Sequence, residues 1–187
     1  MICLLPGVLG FVAFGLFDIN KIRWQRRELN LLFAVGSLLL AVSTLLSIPD
    51  PSHWAIFRGF WGAAALAGLI LSGAALVYVL FFALPFSSTY AESEELPLVD
   101  RGAYGLCRHP SFWLFVVFYF FLWLFFTGRR LFAGFVIYNI CNFLYVYLQD
   151  RYIFPRYIRG YDEYKRSVPF LIPTRASLKK AFPAKRP

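Results

Sequence analysis

Arg108, His109 and Asp150 are the side chains whose types and spacing could do chemistry in this sequence. The first two stand in LVDRGAYGLCRHPSF, Leu98 to Phe112, a polar stretch with two glycines, two arginines and a histidine between long apolar runs. A charged residue at the margin of an apolar span is costly unless it reaches the interface, pairs or meets a ligand. Pro110 suits the first turn of a helix, where its missing N–H is no loss. Arg108-His109-Pro110-Ser111 therefore reads as a helix N-terminus, whose unpaired N–H groups and positive dipole end favour an anionic group. Asp150, near the end of a later apolar run, is an acceptor able to take two hydroxyls. An anion-binding end beside a diol-binding end suits a nucleoside or amino-acid cofactor. The plainer alternatives are an interfacial anchor at Arg108-His109 and a surface ion pair of Asp150 with Arg151 or Arg156.

The elements that must position these residues are membrane spans. With 59% hydrophobic residues and 22 Phe in 187 positions, the composition excludes an ordinary water-soluble domain. The expected fold is all-α, a polytopic integral membrane protein with about five transmembrane helices, the last two forming a tight antiparallel hairpin. The spans are read as Met1 to Phe17, Leu31 to Ile48, about Phe60 to Leu84, Ser111 to Phe126 and Leu131 to Leu148. Met1 to Phe17 lacks a basic leading region, so it reads as a span and not as a cleaved signal. Residues 1–84 form a three-span frame and 85–187 a second half, all in one membrane domain. Gly62 to Gly68, rich in glycine and alanine, allows close helix packing in the third span. Glu92, Glu94 and Glu95 read as a solvated acidic loop.

The four-residue link from Thr127 to Arg130 forces the last two spans antiparallel. His109 lies 20 residues before Arg129 and Asp150 lies 21 after it, so with equal rise both end at nearly the same depth. Placing the loop from Asp18 to Asn30, the central stretch and the tail on one side collects 16 of the 19 Lys and Arg there. The bias of basic residues toward the cytoplasm then puts the N-terminus outside and the central stretch and tail inside. The net charge of +9 is accounted for by topology and anionic lipid, and no nucleic-acid partner is expected. Cys3, Cys107 and Cys141 have no CxxC spacing, so neither a disulfide framework nor a metal site is expected.

Taken together, LVDRGAYGLCRHPSF, the hairpin and YDEYKRSVPFLIP resemble the C-terminal half of the isoprenylcysteine carboxyl methyltransferases and the related phospholipid methyltransferases, over about residues 96 to 173. The three parts occur in the family's order and spacing, which is more specific than any one of them. The resemblance implies S-adenosylmethionine as cofactor, with Gly102, Tyr104, Arg108, His109 and Asp150 around it and Tyr161 and Tyr164 in the closing segment. Gln149-Asp150 stands where the family has Glu-Glu, Phe112 where it has tyrosine, and Ser167 where the carboxyl methyltransferases have arginine.

Methyl transfer from a sulfonium is an in-line displacement, so the protein chiefly aligns donor and acceptor and excludes water. Tyr104 or Phe112 could face the sulfonium. Arg108 and His109 are the implied catalytic residues: Arg108 suits a carboxylate or phosphate head group, and His109 is the base that an amine acceptor would require. The acceptor implied is a lipid-like or isoprenoid molecule reached through the bilayer, the cofactor site facing the cytoplasm. Two alternatives stay open: an NADPH-dependent sterol-type membrane reductase, with Arg151 or Arg156 on the 2′-phosphate, and a non-catalytic membrane scaffold of the same fold.

Overall fold

A computed structural model describes residues 2–50, 59–82, 98, 100 and 102–181. Ser52, Arg58, the acidic loop at Glu92, Glu94 and Glu95, and Arg101 lie outside these residues. Among the described residues the chain is helical without a strand: α1 (Leu5–Ile19), α2 (Leu31–Leu45), α3 (Phe60–Phe81), α4 (Ala103–Leu106), α5 (Pro110–Phe126), α6 (Arg129–Leu148), α7 (Phe154–Tyr157), α8 (Tyr161–Ser167) and α9 (Arg175–Ala181). Four helical stretches are long and apolar enough to cross a membrane: Ile2–Trp24, Arg27–Leu45, Phe60–Leu80 and Arg129–Tyr157. The apolar α5 has 17 residues.

The first span is longer than expected. Read as a loop from Asp18, the chain instead stays helical through a π-helical segment, Asn20–Trp24, and turns only at Gln25, whose φ is +52°. The buried Asn20 holds this turn, donating from Nδ2 to the Arg26 carbonyl and accepting the Arg26 N–H at Oδ1. Of the basic residues that suggested a loop, Arg23, Arg26 and Arg27 are exposed and Lys21 is half-buried, so helix and charge run coexist. At the other boundaries α2 stops at Leu45, ahead of the restriction imposed by Pro49, and α6 starts two residues earlier than expected, at Arg129.

Small residues set the helix contacts. α1 and α2 meet where Gly10 and Gly36 face each other: a Cβ on Gly10 would lie 2.7 Å from the Gly36 carbonyl oxygen, and the reverse distance is 2.8 Å. Neither helix could approach so closely with a larger residue. α3 packs along α5, where Gly68 and Gly73 receive the rings of Phe121 and Phe118. α6 packs against α5 and α1. Between α5 and α6 the chain turns on Thr127 (φ +52°) and Gly128 (φ +114°), the second being a conformation that glycine adopts without strain. Aliphatic side chains such as Leu38, Leu45 and Leu71 point outward from α2 and α3, as lipid-facing surfaces do. The buried core joins Leu4, Phe11, Tyr119, Leu122, Leu131 and Tyr138.

Beyond α6 a second π-helical segment, Gln149–Ile153, leads into α7 and α8. The segment after α8 returns to the start of α5, where the Arg108 N–H donates to the Pro169 carbonyl and the Trp113 indole N–H to the Leu171 carbonyl.

Candidate functional site

Pro110 occupies the first turn of α5 and His109 caps it, the placement expected from sequence. His109 and Asp150 also meet: Nε2 of His109 lies 3.5 Å from Oδ1 of Asp150. Asp150 is 8% exposed, so the surface-pair alternative with Arg151 or Arg156 does not describe it. Its partner is Arg108, which forks onto both oxygens, Nε to Oδ1 at 2.7 Å and Nη2 to Oδ2 at 3.0 Å. The Tyr161 hydroxyl donates to Oδ1 at 2.7 Å.

Arg108 does more than pair. Its Nη1 donates to the carbonyls of Lys165 and Val168 at 3.1 and 2.8 Å, the end of α8, where carbonyls lack helical partners and a cation is favoured. Four hydrogen bonds thus engage four of the guanidinium's five N–H groups. Where the sequence suggests that Arg108 holds an external anion and Asp150 a pair of external hydroxyls, the two groups satisfy each other and tie the head of α5, the segment that follows α6 and the end of α8 together. Asp150 and Gly102 are also absent from the cavity wall described below. Gly102, with φ +59°, precedes α4 and has open space at its Cβ position.

The other predicted residues converge. Tyr104, Arg108, His109, Tyr161 and Tyr164 line one end of a cavity of about 700 Å³. The Tyr164 hydroxyl donates to the Tyr104 carbonyl at 2.6 Å, linking α8 to α4. Burial, reinforced by the Asp150 carboxylate, pushes the Tyr161 phenol far up, and burial does the same to Tyr164, so both remain donors. Burial raises the Cys107 thiol as well, which leaves it inert as a nucleophile. Phe112 packs on Trp113 and Phe143 and does not line the cavity.

His109 differs from its neighbours. Its ring is 4% exposed, stacked on Phe154 at 5.7 Å and edge-on to Phe170, and its Nε2 makes no hydrogen bond. Burial holds the imidazole below its ordinary value, outweighing the Asp150 carboxylate that favours the charged form. A neutral ring on a cavity wall, held only loosely by Asp150, is a group prepared to exchange a proton or a hydrogen bond.

No family model, curated protein or solved structure matches the chain. The site is therefore argued from its own residues.

The rest of the wall is apolar and aromatic, drawn from α1, α2, α3, α5 and α6. Among the polar groups on it that escaped the sequence reading are Asp18 and Lys21. Asp18, 6% exposed, accepts from the Gln149 amide at 2.9 Å. The Lys21 ammonium lies over the rings of Phe17 and Tyr157, 4.8 and 5.4 Å from their centroids. The available signal was a single aspartate ending an otherwise apolar run, a placement that usually marks a function or a partner. Arg151 and Arg156 are exposed and not part of the wall. No cluster of three or more metal-binding side chains occurs among the described residues.

Proposed function

We propose that this chain is a membrane-embedded methyltransferase that moves a methyl group from S-adenosylmethionine to a lipid-like or isoprenoid acceptor, with five spans, the last two an antiparallel hairpin, and its cofactor end at the cytoplasmic face. One observation carries the reading: a cavity of about 700 Å³ that is aromatic and aliphatic along most of its wall and ends on a buried polar cluster in which His109 Nε2 lies 3.5 Å from Asp150 without a closed hydrogen bond. That volume is within the range of small-molecule pockets, about 300–1,000 Å³. A polar donor and an apolar acceptor meeting end to end require such a two-part space.

The residues present fit the cofactor. Tyr104, His109, Tyr161 and Tyr164 would hold it, the imidazole of His109, whose Nε2 lies 3.5 Å from Asp150 without a closed hydrogen bond, meeting a polar atom and the aromatic faces suiting a sulfonium. When bound, it supplies an electrophilic methyl group. Arg108 and Asp150 act as positioning residues, fixing α8 and its tyrosines against α5. The apolar wall excludes water from the acceptor. For an amine acceptor, the neutral imidazole of His109, oriented by Asp150 at its Nε2, is the base that takes the proton; a carboxylate acceptor requires no base.

The hairpin is supported by ring pairs whose residue numbers rise on one helix as they fall on the other: Phe112–Phe143, Phe120–Phe135 and Trp123–Phe132. The sidedness rests on the basic-residue bias. In a background lacking the three cysteines, thiol labelling at Arg130→Cys and Lys179→Cys, both exposed positions, is expected from opposite faces. Labelling of both from one face would overturn that arrangement.

Separate titrations of the purified protein with S-adenosylhomocysteine and with NADPH test the activity. Saturable binding of S-adenosylhomocysteine is expected. His109→Ala is expected to weaken it by about 1.5–3 kcal/mol, the range for hydrogen bonds to charged groups. Binding of NADPH alone would favour the reductase reading, and binding of neither the scaffold.

A further inference from the structure

The cavity holds a buried polar group without a partner, deeper than His109. Asn142 on α6 is 8% exposed, lines the cavity, and its Nδ2 is buried without a hydrogen-bond partner. It lies seven residues before Gln149 on the same helix face, about 10 Å farther along the axis at 1.5 Å per residue. The surrounding wall is made by rings and aliphatic chains such as Phe14, Phe115 and Leu40. Hydroxyls on that wall are already engaged: Ser37 with the Phe33 carbonyl, and Thr44 with the Tyr119 hydroxyl and the Leu40 carbonyl. A buried amide donor left unpaired among apolar groups is unfavourable unless a ligand meets it.

We infer that Asn142 is a specificity-determining station that selects long-chain amphiphiles carrying an oxygen acceptor about 10 Å from the end lodged beside His109. An ester or amide carbonyl meets this requirement, and an unbroken hydrocarbon tail does not. The donor is left unpaired by a ligand without the oxygen, and sites built to hydrogen-bond a substrate group discriminate strongly against analogues lacking it. The inference rests on reading the cavity as the acceptor's pocket, and it narrows the acceptor class.

Two probes of equal chain length and identical glycerophosphocholine headgroup test it on the full chain in detergent: 1-palmitoyl lysophosphatidylcholine, which has an ester carbonyl, and its 1-O-hexadecyl ether analogue, which has none. The wild-type protein is expected to bind the ester probe about tenfold more tightly, the value of one net hydrogen bond of about 1.4 kcal/mol. Asn142→Leu, of similar volume, is expected to remove that preference by weakening the ester probe, while S-adenosylhomocysteine binding stays unchanged. Equal wild-type affinity for the two probes would overturn the inference without any variant, as would a preference that survives in Asn142→Leu. If the ester preference depends on Asn142 but S-adenosylhomocysteine does not bind, the station stands and the methyltransferase reading falls. The converse result sinks only the station.

Discussion

α5 and α6 are joined to their neighbours by two buried polar clusters of different kinds. At the Arg108 end an ion pair is closed by a phenol and two carbonyls. In the core, neutral hydroxyls do the joining: Tyr138 bonds Ser43 and the Leu4 carbonyl, Ser43 bonds the Cys3 carbonyl, and Tyr119 bonds Thr44. The neutral cluster gains a little from each bond and loses little when one is removed. The charged cluster is a larger commitment, since removal of either partner leaves a buried ion uncompensated. Asn142 belongs to neither, and His109 only touches the charged cluster, 3.5 Å from Asp150; both face the cavity, which separates the groups that build the molecule from those left for a ligand.

The contrast is broken most severely by Asp150→Ala. It strands the Arg108 guanidinium, whose side chain is 9% exposed, and is expected to lower stability by about 3–5 kcal/mol, read as unfolding of the detergent-solubilised protein. Retention of wild-type stability would mean that water already reaches the pair. The same chemical deletion made in each cluster sharpens the comparison. Tyr161→Phe removes a donor to a charged acceptor and is expected to lose about 1.5–3 kcal/mol, whereas Tyr138→Phe removes neutral bonds and is expected to lose about 0.5–1.5 kcal/mol. Equal losses in thermal unfolding would erase the distinction between the clusters.

The smallest effect is a pH slope. Because burial depresses the His109 imidazole below 6.5, the unfolded chain takes up a proton at a pH where the folded chain does not. Stability from this residue is therefore present at neutral pH and falls as pH drops below about 6.5 toward the folded value. His109→Gln should flatten that part of the melting-temperature profile, and an unchanged profile would assign the slope to other groups.

What was legible in the sequence follows from what sequence encodes. Apolar runs gave the helices to within a few residues, and Pro110 gave the start of α5. The approach of His109 to Asp150 followed from two equal distances to the turn at Arg129, because helical rise is nearly constant. The partners of Arg108 were hidden for a physical reason: two of its acceptors are carbonyls of Lys165 and Val168, which every residue possesses. Asp18 was assigned to a loop because the basic residues after it resembled a stop, yet a π-helical segment carries the helix past them. Asn142 was visible as an amide within an apolar run, but its place on a cavity wall needed the packing of α1, α5 and α6.

The return of the chain after α8 also bears on how the protein is made. Arg108 is synthesised before Asp150, Lys165, Val168 and Pro169, all of which it must find. Until the ribosome has released that last segment, α5 carries an unmatched cation at its head. The head of α5 is therefore completed only when the segment that follows α8 has docked against it.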